Sequence, residues 1–120
     1  MRRAMLVALT AIAVTSAAAA AWAHAHLQRA LPASGSTLSA APSEVHLWFT
    51  EAIEPSLSAI AVTDAAGKRV DKNDAGPGAE PKTLRIGLGA LAAGSYQVRW
   101  HVVSVDTHRT EGKYAFTVRP

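Results

Sequence analysis

From residue 44 onward, apolar and polar side chains alternate with period two, the repeat of a strand that buries one face. Val45, Leu47 and Phe49 share a face in 44–51, with His46, Trp48 and Thr50 on the other. Ile60 and Val62 pair in the same way in 57–64, as do Leu84, Ile86 and Leu88 in 82–88. The longest run, 95–105, sets Tyr96, Val98, Trp100 and Val102 inward and Gln97, Arg99 and His101 outward, and 113–119 stacks Tyr114, Phe116 and Val118. Between the runs, Pro32-Ala33-Ser34-Gly35, Ala66-Gly67-Lys68, Ala75-Gly76-Pro77-Gly78 and Ala92-Ala93-Gly94 read as turns, and the Gly/Pro-rich stretch 73–81 as an exposed loop. No stretch beyond residue 23 combines helical periodicity with capping residues. About seven short strands in roughly 100 residues predict an all-β, antiparallel sandwich or Greek-key barrel.

The first 23 residues break the pattern. Arg2 and Arg3 precede an uncharged apolar stretch, 4–14, and Ala21-Trp22-Ala23 offers small residues at the two positions a signal peptidase reads. Residues 4–23 are just long enough to span a bilayer as a retained anchor, but they are Ala-rich rather than Leu-rich and end in that motif. The reading is a cleaved signal peptide at 1–23 and a single exported domain at 24–120, with no stable membrane insertion after cleavage. A cut after Ala25, through Ala23-His24-Ala25, is the rival.

Cleavage changes what the composition means. The whole chain is 49% hydrophobic with a formal charge of +3, yet residues 24–120 carry ten Lys+Arg against nine Asp+Glu. A nearly neutral domain with no Lys/Arg cluster gives nucleic-acid binding little electrostatic support. The absence of cysteine excludes a disulfide framework, a Cys-based zinc site and a thiol nucleophile. Met1 and Met5 leave with the leader, so the mature chain has no sulfur ligand of any kind.

The five histidines are the unusual residues. His46 and His101 fall on outward positions beside Trp48 and Arg99 and read as solvated strand-face side chains. A cut after Ala23 makes His24 the first residue, and its α-amine and ring Nδ1 can then chelate one metal; an amine of pKa about 7.7–8.0 is readily deprotonated by a bound cation. Asp106 and His108, two apart, project to one side of an extended segment and add an oxygen and a third nitrogen. Nitrogen and carboxylate donors suit Cu(II), whereas Cu(I) wants thiolate or thioether. Spacing alone does not bring residue 24 near residue 106.

A wider set of residues carries a family resemblance. His24-Ala25-His26-Leu27 follows the Ala-His junction, then come Pro32-Ala33-Ser34-Gly35-Ser36, Val45-His46-Leu47-Trp48-Phe49-Thr50-Glu51, Gly94-Ser95-Tyr96-Gln97-Val98-Arg99-Trp100, and Ser104-Val105-Asp106-Thr107-His108 followed by Gly112 and Phe116-Thr117-Val118. Over essentially all of 24–120 the chain resembles the CopC family of periplasmic copper-binding, copper resistance proteins. The resemblance implies a seven-stranded Greek-key β-sandwich, immunoglobulin-like in class, with the N-terminus beside the Asp-x-His loop. It implies a Cu(II) site of His24, Asp106 and His108, and in some members an inner-membrane partner of the CopD type. Some members add a Met-rich Cu(I) site with a histidine; here the methionines are missing and Trp48 takes that histidine's place.

Alternatives stay open on sequence alone. His24-Ala25-His26 could wrap Cu(II) through the amine, two deprotonated amides and the His26 ring. The folded site is preferred because Leu27 and its successors should be pinned in a strand and because the local chelate leaves Asp106 and His108 unexplained. His26 is then a group that orients or screens the metal. The favoured function is a carrier or buffer without turnover. A copper-dependent oxidative enzyme of the N-terminal-histidine type has little surface for a polymer here, and a metal-free immunoglobulin-like adhesion domain would gain if the mature chain did not begin at His24. Ser104, Asp106 and His108 do not make a hydrolase triad, since its members should converge from separate segments.

Overall fold

The computed structural model describes residues 25–120. The alternation of 44–49 appears in it directly as burial: Val45 and Leu47 are 0% exposed and Phe49 1%, while the side chains between them stay half-buried. The same rhythm buries Tyr96, Val98, Trp100 and Val102 on one long strand and Tyr114, Phe116 and Val118 on another. Burying each such side chain stabilises the domain by roughly 1.5–3 kcal/mol.

These runs form β1 (Leu27–Leu31), β2 (Thr37–Leu38), β3 (Glu44–Phe49), β4 (Ala59–Asp64), β5 (Gly76–Pro77), β6 (Thr83–Gly87), β7 (Gly94–Val103) and β8 (Arg109–Val118). One sheet has the order β1-β3-β6-β5 and the other β2-β8-β7-β4. Neighbours are antiparallel except β2 and β8. The chain crosses between sheets at every connection except β5–β6 and β7–β8, the interleaving expected of a β-sandwich. The Tyr96 hydroxyl donates to the Ala92 carbonyl at 2.6 Å, the back-bonded tyrosine typical of immunoglobulin-like sandwiches. Between the sheets, Phe49 meets Trp100 edge to face at 5.2 Å. The indole also lies across Gly112, its register partner, where a Cβ would come within 2.7 Å of Trp100 Cζ2.

The strand count exceeds seven because of β2 and β5, two residues each and too short to show a period. β5 lies inside the stretch expected to be loop. Pro77 is tolerated there because β5 is an edge strand, and Gly78 fits because any Cβ would strike Thr83 and His46. Leu57, expected to open β4, instead closes a 3-10 turn, Pro55–Leu57, and is exposed. Among the described residues no helix is long and apolar enough to cross a membrane. The expected signal peptide, 1–23, lies outside the described residues.

Candidate metal centre

Between β7 and β8 the chain reverses through 104–108. Ser104 N–H donates to the His108 carbonyl at 2.9 Å and Thr107 N–H to the Ser104 carbonyl at 2.8 Å, with Thr107 left-handed at φ 70°. Asp106 and His108 therefore do not lie on extended chain, as their spacing alone suggested. The turn, rather than the pleat, brings them together, with His108 Nδ1 3.2 Å from Asp106 Oδ2. Beneath them Ser104, 1% exposed, donates its hydroxyl to Asp106 Oδ1 and also lies 3.2 Å from the His108 carbonyl.

The hydrogen bond from Ser104 is the main cause that holds the Asp106 carboxyl below its usual range; desolvation, next in size, opposes it, and the hydrogen bonds and charge of His108 add to it. The result is a carboxylate kept anionic beside an imidazole, both open to solvent: the side chains are 39% and 50% exposed. A nitrogen and an oxygen presented together to solvent suit a divalent metal of the Cu(II) type. They do not suit acyl transfer, because the carboxylate stands between the serine and the histidine, so the serine hydroxyl is tied to the carboxylate and not to the imidazole.

The start of the described chain reaches the same end of the sandwich. Ala25 is wholly buried, and its carbonyl accepts a 2.6 Å hydrogen bond from Thr110, two residues past His108. His26 N–H donates to Thr50 Oγ1, and Thr50 N–H to the His26 carbonyl, both at 2.9 Å. The His26 side chain is exposed. His24 lies outside the described residues, and among those described no group of three or more His, Cys, Asp or Glu could hold a metal.

His101 is half-buried on the outer face of β7. His46 is not the solvated side chain expected: it stacks on Trp48 at 4.1 Å, Arg29 lies over the same indole, and its Nε2 is buried beneath Gly78 without a hydrogen-bond partner among the described residues. The large Trp48 ring and the short β5 cover it. Sequence reasoning missed Ser104, Thr110 and Thr50. The position of Ser104 two before Asp106 was the available signal, weighed for a nucleophile and not for a group that holds the carboxylate.

The CopC domain family matches residues 27–119. "Protein YobA" of Escherichia coli K12 is 34% identical over 119 residues, covering 98% of this chain and 96% of its own. The crystal structure of CopC from Methylosinus trichosporium OB3b aligns with a TM-score of 0.76 at 40% identity, over 81% of this chain and 95% of that one. PcoC, described as a methionine-rich copper resistance protein from Escherichia coli, aligns at 0.74 and 35% identity over 81% of this chain and all of its own. With the β-sandwich and its extent matched along nearly the whole domain, the chain belongs to the CopC family of copper-binding resistance proteins, which are not enzymes.

Proposed function

We propose that this protein, freed of residues 1–23, binds one Cu(II) in the periplasm through the amine and imidazole of His24, the Asp106 carboxylate and the His108 imidazole, and acts as a carrier or buffer. One observation carries the reading: the Thr110–Ala25 hydrogen bond fixes the residue after His24 beside the strand that begins just past His108. One residue of chain reaches at most about 3.6 Å, so a chelate at His24 is compatible in reach with a fixed Ala25. Ala25 also favours a cut after Ala23, because a cut after Ala25 would remove a wholly buried residue and orphan the Thr110 hydroxyl. The local chelate is disfavoured, since it needs the His26 amide deprotonated while that N–H is engaged by Thr50. Unlike the methionine-rich PcoC, residues 24–120 contain no methionine, so the site is one of nitrogen and oxygen. An inner-membrane acceptor of the CopD type is the partner that fits a carrier.

The test compares the mature protein with a form carrying an added Gly before His24. Cu(II) affinity, read by competition titration, falls sharply in the extended form, and His108→Ala changes the electron paramagnetic resonance spectrum. Equal affinity would remove the amine from the site, and an unchanged His108→Ala spectrum would return the metal to the local chelate. Affinity also falls as pH drops through the range where imidazole and amine protonate.

A further inference from the structure

The outer face of the β2-β8-β7-β4 sheet lies apart from the candidate metal ligands. On it Arg99 and Lys113 stand directly opposite each other in the β7–β8 ladder, both exposed. Neither forms an ion pair with any described residue. Like charges in that relation destabilise a sheet; of the acidic groups nearby, Asp71 is held by Arg69 at 2.7 Å, and Glu111, which lines the same face, lies 3.5 Å from Arg109. Two cations are thus left without counter-ions.

Ala59 and Ala61 on β4 lie opposite His101 and Arg99 and leave a low shelf. A groove of about 390 Å³ runs over that shelf between Arg69 and Arg99. A second, of about 500 Å³, continues across Arg99 and His101 to Lys113. A single small anion would fill only the gap between the two cations; of the four basic residues along the grooves Arg69 and Arg109 are taken up by Asp71 and Glu111, which leaves fewer than the roughly 4–8 that membrane attachment by charge calls on. A surface that crosses three strands, apolar along one side and cationic at its centre, fits an extended peptide.

We infer that this face docks an acidic segment of a partner protein, with its carboxylates between Arg99 and Lys113 and its backbone along the Ala59–Ala61 shelf. The face leads along β7 and β8 toward the 104–108 turn, so a docked partner lies beside that end of the sandwich. The inference is independent of copper and is tested without it.

Chelator-treated, 15N-labelled mature protein is titrated with octaglutamate. The expected shifts are confined to the amides of Ala59, Ala61, Arg99, His101 and Lys113, and the Arg99→Ala/Lys113→Ala double variant weakens binding at least tenfold while Lys82→Ala, in the turn that leads into β6 of the other sheet, does not. Lys113→Ala alone raises the thermal midpoint by about 1–5 °C, because the cross-strand repulsion is relieved. Shifts spread over basic residues generally, or equal loss in Lys82→Ala, would overturn the inference. So would inorganic phosphate or phosphatidylglycerol vesicles giving the same shifts at equal charge, or a midpoint that falls in Lys113→Ala.

Discussion

Asp71 and Asp106 are each two residues from a basic side chain that they bind, and both are held below the usual carboxylate range, yet they are opposite in kind. The Asp71 side chain is 1% exposed and fully used by the protein: Arg69 donates through Nε and Nη2 at 2.7 and 2.8 Å, and the Val62 and Asn73 amides at 2.8 and 2.9 Å. Desolvation is the largest influence on Asp71 and pushes its pKa up; the hydrogen bonds from Arg69, Val62 and Asn73 together outweigh it. Asp106 is fixed from below by Ser104 and faces water. A lowered carboxylate pKa therefore does not by itself mark a site. What separates the two is whether oxygen lone pairs remain for something outside the chain.

The contrast would break if the two residues responded alike to removal. Asp106→Ala lowers Cu(II) affinity by at least roughly a hundredfold, beyond what loss of a group behind a metal ligand costs. It leaves the urea unfolding curve in place, because Ser104 keeps its contact with the His108 carbonyl. Asp71→Ala does the reverse. It strands the Val62 and Asn73 amides and lowers unfolding free energy by about 2–3 kcal/mol in urea, with copper titration unchanged. Acid separates them again: the stability that Asp71 supplies is complete above the ordinary carboxylate range and is lost as pH falls through its lowered folded pKa, a loss absent from Asp71→Asn. Smallest is Ser104→Ala. It raises the Asp106 pKa toward the ordinary carboxylate range, leaves the pH dependence of copper binding near neutrality in place, and weakens affinity roughly tenfold because the carboxylate loses the group that orients it.

Where one face of a strand is buried, the sequence was readable. Each inward residue named for β3, β4, β6, β7 and β8 is buried, because a period of two leaves no other way to hide those side chains. The edge pairing of Gly76–Pro77 was not, since it depends on Gly78 clearing Thr83 and His46, contacts from distant parts of the chain. The burial of His46 was hidden for the same reason. At the candidate site the residue types and the family pattern were legible; the left-handed Thr107 and the hydroxyl under Asp106 were not, because turn geometry has no period. Ser104 was buried by the same alternation that buries Val102, which carries a polar group inward exactly where β7 gives way to the turn.

Enclosure of Ala25 bears on the proposed cut after Ala23. With the cut at the Ala23–His24 bond, the second residue beyond it is already interior once the sandwich closes. A peptidase works on extended chain, so processing and folding compete for the same few residues. On the proposed cut and site, a precursor that folds first would keep an amide in place of the amine proposed to bind the metal. On the proposed cut, the Thr110–Ala25 hydrogen bond would thus form best after processing, and a junction held uncleaved would cost the site its amine rather than its fold.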